Sequence, residues 1–164
     1  MVLEDKISAP TSVLSGVPQG TAFGPLLFLI YINDLPSNVK STARLFADDT
    51  IVYRKVQTET DANILQVDLD DLQKWTSTWL VEFNVDKCQL LRVTNKRKSI
   101  HRNYTLNGKQ LPVVDSVKYL GVTFDCKLSW KEHINSTCRK ADGALAFLRW
   151  NMSGYSAEVK TWYY

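Results

Sequence analysis

Two adjacent carboxylates, Asp48 and Asp49, stand between two short apolar segments, residues 45–47 and 50–53, that favour β-strands. This pattern predicts a β-hairpin with an acidic tip. Two like charges held close together cost free energy unless a proton or a cation relieves the repulsion, so the pair indicates a divalent-metal site. Turn chemistry is the commoner explanation of such a pair, because Asp side chains bond their own backbone. The choice between the two depends on the rest of the chain.

A buried helix is predicted on the N-terminal side of the hairpin. Pro25 suits the first helical position, and residues 26–32 are apolar on every side of a helix. Residues 33–36 end this helix. A β-prone segment over residues 12–14 and a glycine-containing loop over residues 15–20 precede it.

A second helix is predicted after the hairpin. It has one apolar stripe, because its large apolar residues are three or four positions apart. These residues are Leu65, Leu69, Leu72, Trp75 and Trp79. Both tryptophans are assigned to the core, since this spacing favours packing over base stacking. The acidic residues of the helix are predicted to face water, at least in part.

Short strands are predicted next, over residues 89–94, 104–106, 109–111 and 118–124. The dipeptide Asn107-Gly108, between the second and third of these strands, is a strong signal for a two-residue hairpin. The hydrophobic pattern therefore changes from helical to strand periodicity after the second helix.

A last long helix is predicted to begin at Ser129, where Ser129 and Glu132 can form a capping box, and to end at Gly154. Its apolar stripe comprises Trp130, Ile134, Cys138, Ala141, Leu145 and Leu148. Ser156 is predicted to start one more helix.

The composition is that of an ordinary globular protein, with 45% hydrophobic and 23% charged residues in a chain of 164. A net charge of +3 is too small to indicate nucleic-acid binding by itself, but the charge is unevenly distributed. Residues 92–109 contain no acid and six bases: Arg92, Lys96, Arg97, Lys98, Arg102 and Lys109. This stretch could contact phosphates or could be a solvated basic loop, and the sequence leaves both interpretations open.

Three cysteines form neither an even disulfide set nor a zinc-ligand spacing, so no disulfide-linked partner and a reducing compartment are expected. The most apolar window, residues 25–32, is too short to span a bilayer, and the N-terminus lacks the pattern of a signal peptide. We therefore expect an intracellular protein of the cytoplasm or nucleus, neither secreted nor bound to a membrane.

Six segments occur in one order along residues 12–150. They are Ser-Gly-Val-Pro-Gln-Gly at 15–20, Gly-Pro-Leu-Leu-Phe at 24–28, Ile-Asn-Asp-Leu-Pro at 32–36, Phe-Ala-Asp-Asp at 46–49, Phe-Asn-Val-Asp-Lys at 83–87, and Val-Lys-Tyr-Leu-Gly-Val at 117–122 with Asp125, Leu128, Trp130 and His133 after it. Together they resemble the successive motifs of reverse transcriptases from non-LTR (LINE-type) retrotransposons. Six ordered motifs are far more specific than an Asp pair.

The resemblance implies an RNA-directed DNA polymerase that works by two-metal nucleotidyl transfer on an RNA template, a DNA primer and dNTPs. Asp48 is then the firmer metal ligand and Asp49 the second, with two Mg²⁺ ions expected in the complete enzyme and Mn²⁺ as an alternative. Phe46 and Ala47 are expected to shape the floor near the primer terminus.

Further roles follow from the same resemblance. Gly16, Pro18, Gln19 and Gly20 are expected to lie under the incoming nucleotide and the template, where glycine permits a close backbone approach. Lys87 is a candidate proton donor to pyrophosphate, although a lone lysine is usually a surface cation. The expected primer grip is Tyr119, Leu120 and Gly121.

The fold implied is α+β: a partial polymerase palm, with an antiparallel sheet packed on helices, followed by the start of a helical thumb. We assign residues 1–115 to the palm, 116–125 to the primer-grip strand and 126–164 to the thumb.

The resemblance places the first catalytic aspartate upstream of the loop at residues 15–20, and Glu4 and Asp5 do not have its apolar context. We therefore expect part of a longer polymerase that is inactive by itself. The alternative is a non-catalytic nucleic-acid-binding or interaction remnant that uses residues 92–109.

Overall fold

The computed structural model describes residues 20–154, together with the backbone of residues 2–3 and 6–7. Within this part of the chain the fold is mixed α+β, as predicted. The chain divides into two compact units. The first comprises Met1–Cys88 and Lys98–Pro112, and the second comprises Gln89–Arg97 and Val113–Tyr164. The functional boundaries assigned after residues 115 and 125 stay a prediction.

In chain order, the elements are β1 (Val2–Leu3), β2 (Lys6–Ile7), α1 (Gly24–Ile32), β3 (Thr42–Phe46), β4 (Asp49–Tyr53), α2 (Glu59–Trp79), β5 (Leu90–Leu91), β6 (Thr105–Leu106), β7 (Lys109–Gln110), β8 (Val113–Val114), β9 (Ser116–Tyr119), β10 (Val122–Asp125) and α3 (Lys131–Asn151). Two short 3-10 helices, Leu35–Asn38 and Val85–Lys87, connect them. The described strands pair two by two: β1–β2, β3–β4, β6–β7 and β9–β10 are antiparallel, and β5–β8 is parallel. No described helix is both long enough and apolar enough to cross a membrane. The predicted strand at residues 12–14 and the predicted helix at Ser156 lie outside the described residues.

The core of the first unit lies between α1, the 3-10 helix after it, and α2. Its buried residues are Ile32, Leu35, Leu72 and Trp75. Partly buried residues pack around them: Phe28, Tyr31, Val39, Leu45, Val52, Leu69, Val81 and Phe83. Full burial of a side chain of this size stabilises a fold by roughly 1.5–3 kcal/mol. This core packs α2 against α1 and the 3-10 helix that precede the β3–β4 hairpin.

The first helix begins with Pro25 in its first turn, as predicted, but it is not buried on every side. Leu26, Leu27, Leu29 and Ile30 are all exposed in the described structure. Among the described residues, only the side of α1 that bears Ile32 has a partner, because the core residues of α2 cover a single face of α1. The prediction of a fully buried helix is therefore wrong.

The second helix is capped at both ends. At its N-terminus Thr58 and Asp61 form a capping box, and at its C-terminus Leu80 adopts a left-handed conformation with φ of 54°. Trp75 is buried, as predicted, whereas Trp79 is 41% exposed. The ring of Trp79 packs edge-on against Tyr31 at 5.7 Å between centroids, so it lies at the edge of the core.

The predicted Asn107-Gly108 hairpin is confirmed as β6–β7. Asn107 and Gly108 have φ of 51° and 71°, the positive values that a two-residue hairpin turn of this kind requires. Gln66 of α2 bonds both backbone groups of Thr105, each at 3.0 Å. Helix α2 is therefore fixed to this hairpin as well as to the core.

Two strand predictions are wrong in the second unit. The strand expected over residues 89–94 is only Leu90–Leu91. The single strand expected over residues 118–124 is instead the β9–β10 hairpin, which reverses at Leu120 and Gly121 with φ of 48° and 82°. Apolar residues flank this turn on both sides, so the periodicity alone did not reveal the reversal.

The predicted capping box of α3 is also wrong. The helix begins after Trp130, whose φ is 61°, and has no side-chain cap. The hydroxyl of Ser129 donates to Asp125, and Glu132 accepts a bond from Ser116 Oγ at 3.3 Å, so neither residue caps the helix. The helix ends at Asn151, three residues before the predicted Gly154.

Candidate active site

The predicted acidic hairpin is confirmed. Strands β3 and β4 pair in register from Thr42 opposite Tyr53 to Phe46 opposite Asp49. The two-residue turn between them is Ala47-Asp48, and Ala47 has a positive φ of 49°. Asp48 therefore lies in the turn, while Asp49 is already the first residue of β4.

Both carboxylates are exposed, and neither makes a hydrogen bond or an ion pair within the described structure. They are hard oxygen ligands of the kind that Mg²⁺ prefers, and Mg²⁺ sites commonly use one or two carboxylates together with water and substrate phosphates. Across residues 20–154 no group of three His, Cys, Asp or Glu side chains is arranged to hold a metal ion. The residues present therefore fit part of a magnesium site.

Two neighbours of the acids, Phe46 and Ala47, are exposed, and the Phe46 side chain remains 61% accessible. Phe46 pairs directly with Asp49 across the hairpin, which places an apolar ring next to the acidic pair. This arrangement is compatible with a surface for the primer terminus, and the role itself stays a prediction.

The predicted nucleotide and template loop falls mostly outside the described residues, where Gly16, Pro18 and Gln19 lie. Gly20 is described. It has a φ of 76°, in the left-handed region that favours glycine, and a Cβ there would meet no heavy atom within 4 Å. Gly20 is thus suited to a turn just before α1.

Lys87 lies exposed at the end of the short 3-10 helix Val85–Lys87. Its backbone N–H donates to the carbonyl of Asn84 at 3.0 Å. Its neighbour Asp86 forms an ion pair with Lys109, and the hydrogen bond from Lys109 lowers the pKa of Asp86 below the usual carboxyl value. The proton-donor role of Lys87 stays a prediction.

The expected primer-grip residues belong to the second unit. Tyr119 is half-buried at the end of β9, where it pairs with Val122, whereas Leu120 and Gly121 form the exposed turn. A Cβ at Gly121 would meet no heavy atom within 4 Å, so its glycine suits the turn rather than a close contact inside the fold. Their contact with a primer stays a prediction.

The basic stretch is shared between the two units, which divide after Arg97. Arg102 donates to Asn63 of α2, and Lys109 is paired with Asp86. At least these two cations therefore have partners within the fold. Lys96, Arg97 and Lys98 are exposed.

Sequence reasoning missed the role of one acid. Asp68 was predicted to face water with the other acids of α2, yet it is only 1% exposed. Its position gave a usable signal, because it stands three residues after Leu65 and four before Leu72, within the apolar stripe. A charged residue on a buried stripe requires hydrogen-bond partners, and here backbone N–H groups supply them.

The motif Ile-Asn-Asp-Leu-Pro at residues 32–36 also has a structural role that the sequence did not reveal. Ile32 and Leu35 are core residues, and Asp34 Oδ1 accepts a hydrogen bond from Trp75 Nε1 at 3.1 Å. The motif therefore fixes the end of α1 to the middle of α2.

Comparison with known proteins agrees with the motif order. Residues 3–124 match the protein-family model described as reverse transcriptase (RNA-dependent DNA polymerase). The RNA-directed DNA polymerase from mobile element jockey of Drosophila melanogaster is 31% identical over 147 residues, which is 84% of this chain and 16% of that protein. The jockey polymerase of Drosophila funebris is 35% identical over 133 residues, 74% of this chain and 14% of the relative.

A third relative, the probable RNA-directed DNA polymerase from transposon X-element of Drosophila melanogaster, is 30% identical over 156 residues, with 92% of this chain and 17% of the relative covered. The chain thus spans about a sixth of the length of these curated relatives. No solved structure matches the chain.

Proposed function

This chain belongs to the reverse transcriptase family, in the group carried by non-LTR (LINE-type) mobile elements, and from that membership we propose that it forms part of the catalytic domain of an RNA-directed DNA polymerase. Its substrates in that domain are an RNA template, a DNA primer and deoxynucleoside triphosphates. We place this activity inside the cell, in the cytoplasm or nucleus. The observation that carries the proposal is the β3–β4 hairpin, which exposes Asp48 and Asp49 at its turn.

Enzymes of this family depend on divalent metal ions, and for this chain we propose Mg²⁺, with Mn²⁺ as a substitute. Asp48 is the firmer ligand and Asp49 the second, and both carboxylates are open to solvent with no competing cation bonded to them within the described structure. When bound, two such ions activate the primer 3′-hydroxyl and stabilise the leaving oxygen of the triphosphate.

The other residue roles in the proposal rest on the motif order. The loop residues Gly16, Pro18, Gln19 and Gly20 contact the nucleotide and the template, and Phe46 and Ala47 shape the floor beneath them near the primer terminus. Lys87 donates a proton to pyrophosphate. The β9–β10 turn, with Tyr119, Leu120 and Gly121, supports the primer backbone, and α3 starts the thumb that follows it.

Paramagnetic Mn²⁺ tests the metal site on the chain itself. In an NMR titration, Mn²⁺ should broaden the amide signals of residues 46–50 selectively, because a bound paramagnetic ion relaxes nuclei close to it. Asp48→Ala should abolish this broadening and change the free energy of unfolding by less than about 0.5 kcal/mol, since the side chain is exposed and unbonded. Asp142→Ala, which removes an exposed acid from α3, is the matched control and should leave the broadening unchanged.

Two results would contradict the metal site. One is uniform broadening over the whole chain, and the other is selective broadening that survives in Asp48→Ala.

Primer extension tests the reaction. A longer polymerase that contains this segment should lose extension with Asp48→Ala and keep it with Asp142→Ala. The purified 164-residue chain should incorporate no nucleotide with Mg²⁺, because the first catalytic aspartate, which the resemblance adds to Asp48 and Asp49 as a third carboxylate, is not among its recognised motifs. Magnesium-dependent incorporation by this chain would show that two carboxylates suffice.

The alternative function is a non-catalytic nucleic-acid-binding remnant that uses residues 92–109. The structure supports it less, since Arg102 and Lys109 already have partners in the fold. If it is correct, the chain binds an RNA–DNA duplex with an affinity that falls steeply with salt, and Lys98→Glu weakens that binding while Asp48→Ala does not. Undetectable binding at low salt would count against it.

A further inference from the structure

We propose that Asp68 and Asp61 of α2 are positioning residues for the Asp48–Asp49 hairpin: one carboxylate fixes the start of β3, the other fixes the end of β4, and together they set where the turn that carries the two acids lies. This inference rests on the proposed function, because it concerns how the same metal site is held. Neither residue is expected to touch the metal or the substrates.

Asp68 holds the first leg of the hairpin. Its Oδ1 accepts a hydrogen bond from the backbone N–H of Lys40, and its Oδ2 accepts one from that of Ser41, both at 2.8 Å. These two residues come immediately before β3. The carboxylate is 1% exposed, and a buried charge is tolerated only where its oxygens are well bonded. The start of β3 therefore has one favourable position on α2.

Asp61 holds the second leg. Its Oδ1 lies 3.6 Å from Nη2 of Arg54, the residue directly after β4. Its Oδ2 accepts bonds from the backbone N–H groups of Gln57 at 3.0 Å and Thr58 at 2.9 Å. The exit of β4 is thus tied to the first turn of the same helix.

The two anchors lie on one face of α2, because they are seven residues, or two helical turns, apart. Each leg of the hairpin is five residues long and the legs pair in register along their whole length. The unbroken register fixes each strand relative to the other, so the position of the two ends on α2 sets where the turn lies. The acids at the turn have no bonded partner of their own in the described structure, so their position depends on these anchors and on the packing of Leu45 and Val52 against the core.

The test measures hydrogen exchange and Mn²⁺ binding on the full 164-residue chain. In Asp68→Asn, one amide N–H of residues 40–41 faces an NH₂ group instead of a carboxylate oxygen. Exchange of the β3 amides, Thr42–Phe46, should accelerate at least about tenfold, as expected for the loss of a charge-assisted bond, while the amides of α2 keep their protection. The Mn²⁺ concentration that half-broadens the signals of residues 46–50 should rise at least about fivefold, because the loosened turn must be ordered on binding.

Asp70→Asn is the matched control, since Asp70 is an exposed acid on the same helix, and it should change neither measurement. If circular dichroism shows that Asp68→Asn does not fold, Asp61→Asn replaces it. Asp61 is partly exposed, and its loss should accelerate exchange in β4, Asp49–Tyr53, and weaken Mn²⁺ binding to a smaller extent.

The inference is overturned if the folded variant exchanges like the unsubstituted chain. It is also overturned if exchange accelerates but Mn²⁺ binding is unchanged, since that pattern is a purely structural effect. The result that contradicts the metal site is different: no selective Mn²⁺ broadening in the unsubstituted chain. In that case the exchange comparison still decides whether Asp68 fixes the hairpin.

Discussion

Helices α2 and α3 are each 21 residues long and each has an apolar stripe, yet only α2 has a buried face. Its buried residues are Ala62, Asp68, Leu72, Trp75 and Thr76. In α3, every residue of which is described, none is buried. The stripe of a helix shows which face can be buried, and a partner surface decides whether that face is buried.

The partners of α2 approach it from several sides. Ile32 and Leu35 pack on its core face, and Gln66 and Gln73 bond the β6–β7 hairpin. In the second unit, the first turn of α3 is bonded to the β9–β10 hairpin. There His133 Nδ1 accepts a bond from the backbone N–H of Thr123 at 3.4 Å. The exposed apolar residues further along, such as Phe147 and Trp150, therefore contribute little to the stability of the described fold.

Substituting one tryptophan in each helix should give the largest difference in the free energy of unfolding. Trp75→Ala should lower the free energy of unfolding by about 3–5 kcal/mol, because it removes a 6% exposed ring and its bond to Asp34. Trp150→Ala, at an 82% exposed position, should change it by less than about 0.5 kcal/mol. Urea unfolding followed by circular dichroism measures both. Similar losses in the two variants would show that α3 has a buried face after all.

Loss of the N-terminal cap of α2 should give an effect of intermediate size on the free energy of unfolding. Thr58→Ala should cost about 1 kcal/mol, because Thr58 accepts the Asp61 N–H in the capping box of α2. Thr58→Ser keeps the hydroxyl and should change the free energy of unfolding by at most about 0.3 kcal/mol, because serine is at least as good an N-cap residue as threonine. Urea midpoints of the two variants provide the comparison. A loss as large in Thr58→Ser would contradict a role for the cap.

Lowering the pH should give the smallest effect on the free energy of unfolding, and it acts through one carboxylate beside α2 and one beside α3. Backbone hydrogen bonding from Gln57, followed by bonds from Thr58, lowers the pKa of Asp61 at the start of α2. The hydroxyl and backbone of Ser129 lower the pKa of Asp125 just before α3. A group whose folded pKa lies below its unfolded value of 3.8 contributes stability above that value and loses it as the pH falls through the folded pKa.

Stability should therefore be flat down to about pH 5 and fall below about pH 4. Asp61→Asn and Asp125→Asn should each make that fall shallower, which urea midpoints between about pH 6 and pH 3 would reveal. If the urea midpoint falls with pH as steeply in both variants as in the unsubstituted chain, other carboxylates cause the loss of stability in acid.

Local patterns predicted the local structure well. The Asn107-Gly108 dipeptide specified a hairpin, because both of its residues accept positive φ, and Pro25 marked the first turn of α1. The β9–β10 reversal was missed, since apolar residues continue through the Leu120-Gly121 turn and imitate one strand. The capping box at Ser129 was wrong because a nearby acid, Asp125, takes the hydroxyl instead.

The candidate site was predicted in part for the same reason. The hairpin and its acids follow from a short run of sequence, so the sequence alone placed Asp48 and Asp49 at the hairpin turn, and their role as metal ligands stays a prediction. The hydrogen bonds of Asp68 were not predicted, because they reach backbone groups 27 and 28 residues away, and no local rule connects positions so distant.

By itself the sequence determined the hairpin that carries the acids, the helices on either side of it, and the motif order that identifies the family, since each depends on residues close together in the chain. The tertiary structure decided which apolar faces are covered and which acids serve the fold. Burial depends on the surfaces that meet in space, and thus two stripes of the same kind end in opposite environments. Asp68 and Asp48 differ for that reason alone: one carboxylate meets backbone N–H groups inside the fold, and the other is left open to solvent.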